Sequence, residues 1–319
     1  MVRPVDVPAL VESARAGTPR AVARLISLVE DAHPALREVM TALAPHSGTA
    51  HVIGLTGPPG VGKSTTTNAL VGALRARGST VGVLAVDPSS PFTGGALLGD
   101  RIRMEEHATD RGVYLRSMAS RGHLGGLSWS TPQAIRVFDA AGCDVVLVET
   151  VGVGQSEVEV AGLADTTVVL LAPGMGDGIQ AAKAGILEIG DVFVVNKADR
   201  DGADNVVRDL RHMIQLSDRT TPGLWRPPVV RTSALNRTGI DDLLEGLDAH
   251  RAWLEDTGQL RVRRVRRAAD EIEALAVAEV RGRMGVRRDG ARLEVLAGDV
   301  ADGRTDAYTA ADEIVAALS

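Results

Sequence analysis

Apolar residues near the start of the chain recur at helical spacing, with Val7, Leu10 and Val11 followed by Ala21, Leu25, Leu28 and Val29. That spacing predicts amphipathic helices as far as about Ala44, where Pro45, Ser47 and Gly48 break the pattern. From His51 the period changes to short apolar runs, each followed by a turn and a helical stretch. The predicted strands are His51–Thr56, Thr80–Val86, Val113–Arg116, Asp144–Val148, Thr167–Leu171, Val192–Val195 and Pro228–Thr232, and a helix is predicted to open near Lys63. Strands this apolar, alternating with helices, belong to βα units in a mostly parallel sheet, which takes its ligands at the carboxyl ends of the strands. Beyond about Arg251 the strands stop. Ala268–Val280 has amphipathic helical spacing, and Thr309–Leu318 reads as a short helix with Thr309 as its N-cap. The pattern divides the chain into an N-terminal helical extension over residues 1–47, an α/β domain over 48–250 and a C-terminal helical arm over 251–319.

The first strand ends in Gly57-Pro-Pro-Gly-Val-Gly-Lys-Ser64, placed between a strand and a helix as a G-x-x-x-x-G-K-[ST] phosphate loop must be. Gly57, Gly60 and Gly62 let backbone N–H groups turn inward around phosphate oxygens. The following helix presents its positive end to the same anion. Lys63 neutralises β- and γ-oxygens, the Ser64 hydroxyl is a ligand for Mg²⁺, and Val61 and Thr65 complete the candidate contacts of this loop. A glycine loop that merely turns the chain would need none of these flanking residues. Glu149 ends the run Asp144–Val148 and suits a second Mg²⁺ contact through water, with the Gly152 N–H near the γ-phosphate. A carboxylate simply solvated at a strand end is the competing reading.

After Val192–Val195 stands Asn196-Lys-Ala-Asp199. A carboxylate at Asp199 suits the N1–H and N2–H₂ donors of guanine, whereas adenine offers an acceptor at N1. Leaving a buried polar group unpaired costs about 1–3 kcal/mol, enough for tenfold or greater discrimination. Asn196 is placed to reach N7, the Lys197 stem to cover the base plane, and Ser233-Ala234-Leu235 to offer a backbone N–H to O6. The expected ligands are therefore GTP or GDP with Mg²⁺.

Composition narrows the remaining classes. Aromatics are only 3% of 319 residues, so the core must be built from Val, Leu, Ile and Ala. The formal charge of −6 argues against general nucleic-acid binding, and the basic run Arg261–Arg267 has no interleaved aromatics, so a solvated helix face or dimer contact is the expected reading. Cys143 is the one cysteine, excluding an intramolecular disulfide and any multi-cysteine metal site. It precedes a strand and is expected in the core. The histidines, among them His107 and His123, show no metal spacing. Met104, Met118 and Trp129 read as packing residues, and Trp225, near Pro227 and Pro228, is undetermined between a loop anchor and packing. No signal peptide and no span of roughly 18–20 apolar residues is found, so the expected location is cytoplasmic.

The longer motifs resemble one family. Besides Gly57–Ser64 and Asn196–Asp199, they are Asp87-Pro-Ser-Ser-Pro91, Gly94–Met104, Ser120–Gly126 and Glu149-Thr-Val-Gly-Val-Gly-Gln-Ser156. Together they are similar to the MeaB/MMAA (ArgK) family of P-loop GTPases in the SIMIBI class, over nearly the whole chain. The resemblance implies a SIMIBI-class sheet and a chaperone of adenosylcobalamin-dependent acyl-CoA mutases, chiefly methylmalonyl-CoA mutase. It also implies a homodimer formed through the C-terminal arm; a membrane partner is not expected, for want of a long apolar run. By position, Asp87 and Asp100 fall in the segment sensing γ-phosphate and Mg²⁺, Glu149 takes the Walker B role, and Asp177–Lys183 falls in a switch answering the partner. The sequence departs from the family at Asp306-Ala307, where Asp-Pro is expected.

The position after Gly152 is Val153 rather than a water-orienting glutamine. Asp87, at the end of a neighbouring strand, is the better candidate for holding the attacking water. With no internal arginine finger evident, hydrolysis is expected to be slow alone and faster with a partner. Two other functions compete: a phosphotransferase passing the γ-phosphate to an acceptor, and a metal-insertion GTPase. The latter is disfavoured by the missing cysteine and histidine ligands.

Overall fold

The computed structural model describes residues 5–88, 106–107, 109–120, 130–150, 156–174, 186–216, 223–283 and 290–316. It falls into two compact units, Met1–Arg261 and Val262–Ser319.

The first unit opens with α1 (Val7–Arg15), α2 (Pro19–Glu30) and α3 (Leu36–Leu43). Asp6 caps α1 by accepting from the Ala9 N–H at 3.1 Å, and Pro8 and Pro19 stand in first turns, where a missing N–H costs nothing. Then come β1 (His51–Thr56), α4 (Lys63–Ala76), β2 (Val81–Pro88), β3 (Val113–Ser120), α5 (Thr131–Ala140), β4 (Val145–Thr150), α6 (Ser156–Leu163), β5 (Thr166–Leu171), α7 (Ile186–Ile189), β6 (Val192–Val195), α8 (Ala203–Leu216), β7 (Val229–Arg231), α9 (Ile240–Asp256) and the start of α10 (Gln259–Arg283). The strands form one seven-stranded sheet in the order β3-β2-β4-β1-β5-β6-β7, and every pairing is parallel. β3 runs to Ser120, beyond the predicted Arg116, because its whole length pairs with β2 from Val81↔Val113 to Pro88↔Ser120.

Strand periodicity sends alternate residues to opposite faces. On one side Val52, Val146 and Val148 join Leu25, Ile26, Val29, Val39, Leu43 and Phe138 from α2, α3 and α5. On the other, Ile53, Leu55, Val145, Leu147, Val168 and Val192 pack with Leu70, Val71, Leu243 and Leu247 from α4 and α9. The helical extension thus shares a core with the sheet. Cys143 is buried there, as expected, with burial pushing its thiol up.

Carboxylates fix where the strands begin. Asp139, near the end of α5, accepts from the backbone N–H groups of Gly48, Thr49 and Ala50, the last at 3.0 Å. Asp165 accepts from Val52 N–H at 3.1 Å and Asp191 from Thr167 N–H at 2.9 Å. Beside Asp191 lies a buried chain of contacts in which the Thr166 hydroxyl stands 2.8 Å from both His51 Nε2 and His250 Nδ1. Trp225 belongs to this packing: its Nε1–H donates to the Asp191 carbonyl at 2.7 Å and its ring lies 4.8 Å from that of His250.

The second unit carries the remainder of α10, then α11 (Gly290–Ala301) and α12 (Ala307–Ala316). The cap of α12 is Asp306 rather than the expected Thr309. Asp306 accepts from the Tyr308 and Thr309 N–H groups at 2.9 and 3.1 Å and from the Thr309 hydroxyl at 2.5 Å. These donors hold its carboxyl below the usual carboxylate range. Ala307 then occupies the first helical position, where proline would also fit, so the departure at Asp306-Ala307 leaves the capping intact. No helix among the described residues is long and apolar enough to cross a membrane.

Candidate functional site

β1 lies in the middle of the sheet, and the chain leaves it towards β2 on one side while β5 continues towards β6 on the other. A crevice at such a reversal, outside the carboxyl ends of the strands, is where parallel sheets hold ligands. The loop from Gly57 to Gly62 fills it. Gly57, Gly60 and Gly62 have φ of 139°, 78° and 95°, values that turn successive N–H groups towards one point and that side-chain-bearing residues rarely adopt. A Cβ on Gly57 would also run into the Leu170 carbonyl of β5, and one on Gly62 into the Asn196 amide. α4 begins at Lys63 as predicted, with Gly62 as its cap, so its positive end opens into the loop.

Lys63 is buried, and its ammonium donates to the Gly57 carbonyl at 2.5 Å and the Pro58 carbonyl at 3.2 Å, lying back across the loop. The Ser64 hydroxyl donates to Glu149 Oε1 at 2.5 Å. Glu149 is itself buried at the end of β4, paired in register with Leu55 of β1 and Ala85 of β2. A hydroxyl and a carboxylate brought together beside a phosphate loop form an oxygen-only donor pair, which fits the hard cation Mg²⁺. Thr65 is exposed in the first turn of α4, and Val61 is buried beneath the loop.

Asp87 lies at the end of β2, one residue beyond the pairing Val86↔Thr150, so its backbone reaches the same sheet edge as Glu149. Asp100, Gly152, Asp177–Lys183, His123 and Trp129 lie outside the described residues.

The base motif meets the phosphate loop directly. Asn196 is buried, and its Nδ2 donates to the Val61 carbonyl at 2.8 Å. Its Oδ1 accepts from the Thr232 hydroxyl and the Ala234 N–H, both at 3.1 Å. One amide therefore ties together the phosphate loop, the end of β7 and the 3-10 turn Ala234–Asn236. Lys197 holds φ at 56°, and its ammonium reaches the Gly60 carbonyl at 2.7 Å, which lays its stem along the crevice. The Ser233 hydroxyl donates to Asp199 and, with the backbone, holds that carboxyl below the usual range. Ser233 in turn accepts from Asn236 Nδ2 at 3.0 Å. A carboxylate kept ionised and aimed by a second residue suits a pair of N–H donors on a base. Sequence reasoning placed Ser233 here for its backbone alone and missed Asn236. The Ser233 and Ala234 N–H groups are engaged by Thr238 O and Asn196 Oδ1. Leu235 is 85% exposed at the rim.

A glycine phosphate loop after the central strand of a parallel sheet, facing an Asn-Lys-x-Asp turn from the same sheet, defines a P-loop nucleotide-binding protein of the guanine-recognising kind. Comparison with known proteins carries this to a family. The family described as methylmalonyl-CoA mutase-associated GTPase MeaB matches residues 22–291, and the chain belongs to it. A putative GTPase of Pyrococcus abyssi is 47% identical over 307 residues, 96% of this chain and 95% of that protein. The mitochondrial methylmalonic aciduria type A homolog of Mus musculus is 40% identical over 215 residues, 66% of this chain and 52% of that protein. Among solved structures, an LAO/AO transport system kinase aligns with a TM-score of 0.70 and 27% identity over 99% of this chain and 98% of its own.

Proposed function

We propose that the chain binds GTP and hydrolyses it slowly alone, and that its nucleotide state gates the loading and protection of cofactor in an adenosylcobalamin-dependent acyl-CoA mutase, with methylmalonyl-CoA mutase as first choice. The observation that carries the nucleotide reading is the junction of the two motifs, where Asn196 and Lys197 bond to Val61 and Gly60 of the phosphate loop. Such a junction supports a single ligand that spans both motifs, its phosphates at one and its base at the other. The mutase reading rests on the family the chain belongs to.

In this reading the loop amides and Lys63 hold the β- and γ-phosphates. Mg²⁺, when bound, screens the phosphate charge, and Ser64 and Glu149, with Asp87 and Asp100, are the residues that would hold it. Asp87, at the end of β2, is also the residue proposed to orient the attacking water. Asp199 accepts the guanine N–H donors, and Lys197 covers the base. A partner supplies the missing transition-state charge, worth about 10³ to 10⁵ in rate for an arginine finger. The C-terminal arm serves a homodimer: Val262, Val265, Ile272, Leu275, Val277 and Val280 are exposed along α10. The location proposed is cytoplasmic.

Two measurements test this. Calorimetry in magnesium buffer is expected to show GDP and GTP binding with ATP ignored; preference for ATP would overturn the base assignment. Capture from a lysate with and without a non-hydrolysable GTP analogue is expected to retain a mutase in a nucleotide-dependent way. A phosphotransferase is the second reading, favoured by the kinase description of the structural relative. With γ-labelled GTP, label appearing only as free phosphate supports hydrolysis, and label on an acceptor supports the kinase.

A further inference from the structure

The Asp199 carboxylate is exposed, and the Ser233 hydroxyl reaches it from the turn after β7. Guanine offers such a carboxylate two donors, N1–H and the exocyclic N2–H₂, whereas hypoxanthine offers N1–H alone. Taking both donors requires the two oxygens to lie in the plane of the base edge. The rotation of the carboxylate, and not its charge alone, therefore decides how well the exocyclic amino group is read. A hydroxyl carries one hydrogen, so whether Ser233 can steady Asp199 depends on what else stands beside that hydroxyl.

What stands there is Asn236, whose Nδ2 donates to the Ser233 hydroxyl oxygen at 3.0 Å. An amide nitrogen cannot accept, so the Ser233 hydrogen has no partner on that side and is left for Asp199. The backbone in turn holds Asn236. It ends the 3-10 turn Ala234–Asn236, with its N–H bonded to the Ser233 carbonyl at 3.0 Å. Ser233 N–H bonds to Thr238 O at 3.0 Å and Thr238 N–H to Ser233 O at 3.1 Å, which closes the turn into a ring. Arg237 rounds its corner with a left-handed φ of 57°, a conformation that persists only where surrounding structure imposes it. A Cβ on Gly239 would run into the Arg231 carbonyl, so the exit of the ring is packed closely as well. The ring is moored to the rest of the site by Ala234 N–H, which donates to Asn196 Oδ1 at 3.1 Å.

We infer that Asn236 is a positioning residue for base selectivity: by directing the Ser233 hydroxyl it holds the Asp199 carboxylate in the plane that takes both N–H donors of guanine. The inference rests on the nucleotide reading above. It adds that the site selects guanine over hypoxanthine as well as over adenine, and that Asn236 contributes to this only through Ser233 and Asp199.

The test is calorimetric titration of the full-length protein with GDP and with IDP, the same nucleotide without the exocyclic amino group, in magnesium buffer. Wild type is expected to prefer GDP. Asn236→Ala is expected to lower the GDP-to-IDP affinity ratio about two- to fivefold, within the range of one net hydrogen bond. Asn236→Asp has the same size but offers an acceptor where the donor stood, so it draws the Ser233 hydrogen away from Asp199 and is expected to lower the ratio further. In a Ser233→Ala background, Asn236→Ala is expected to change the ratio no more, because the residue it acts through is gone. A ratio unchanged in Asn236→Ala, an Asn236→Asp ratio no lower than that of Asn236→Ala, or effects that multiply with Ser233→Ala overturn the inference. A residue that serves only the turn would lower the nucleotide-free melting midpoint and weaken GDP and IDP alike, which also overturns it. Wild type that binds neither nucleotide overturns the reading of the site and this inference with it. Wild type that binds both equally overturns the two-donor role of Asp199 and this inference, and leaves nucleotide binding standing.

Discussion

Asp199, proposed above to read the base, has its carboxylate prepared by its neighbours. Its partner Ser233 is oriented by Asn236, so two side chains of one turn prepare the acceptor of another. Asp199→Asn replaces one acceptor oxygen by a donor and is expected to relax the preference for guanine about tenfold to a hundredfold in competition against ATP. Ser233→Ala is expected to weaken GDP binding by about two- to tenfold in calorimetry, since it removes a bond to a charged group without removing the charge. Asp110 allows a pH test. The Arg75 guanidinium, then Gly112 N–H, hold its carboxyl below the usual range. A depressed carboxyl stabilises the fold above its unfolded pKa, near 3.9, and loses that contribution as pH falls through the folded value. Asp110→Asn is therefore expected to lower the melting midpoint equally at pH 7 and pH 5, with the difference from wild type closing below about pH 4. That Lys63, Ser64 and Glu149 meet at the phosphate loop, and Asn196 and Asp199 at the adjoining turn, was legible because each stands at a fixed offset in a motif. Asn236 was not, because it belongs to no motif and bears on Asp199 only through Ser233, three positions before it.

At the scale of elements, the strands were legible from apolar runs, since parallel strands buried on both faces leave little else for the sequence to show. Their limits were not. β2 begins at Val81 because Thr80 N–H is taken by Asp144 at 2.7 Å, and α12 begins where Asp306 rather than Thr309 caps it. The first boundary is set by a carboxylate arriving from another element, of which local spacing carries no record; the second is a choice between two neighbouring cap residues, Asp306 and Thr309. Asp139 is the strongest instance of the first kind, closing the N–H groups of Gly48, Thr49 and Ala50 just ahead of β1. Asp139→Ala leaves those donors unpaired in a half-buried place and is expected to cost about 3 kcal/mol in chemical denaturation. That loss falls on the strand that delivers the phosphate loop.

For the whole molecule, helical spacing revealed α1–α3 but not what their apolar faces cover. They cover the sheet, through Leu25, Ile26, Val29, Val39 and Leu43 packed with Val52, Val146 and Val148. Removing residues 1–47 is therefore expected to yield aggregated protein. A chain ending at Arg261, where the first unit closes, is expected to stay folded and to bind GDP within about twofold of the full chain, and to sediment as a monomer if the arm serves the homodimer. The order of the sheet has a further consequence, for synthesis. β1 and β2 are never neighbours, because β4 lies between them, and β4 begins only at Val145. At about 5–20 residues per second, roughly 5 to 20 s separate the emergence of Thr56 from that of Val145 at the ribosome. Throughout that interval β1 is without a native mate, since β4 and β5 both follow it, whereas β2 can already pair with β3. The insertion that gives the phosphate loop its central seat thus makes the nascent chain depend on being sheltered from its neighbours while it is made.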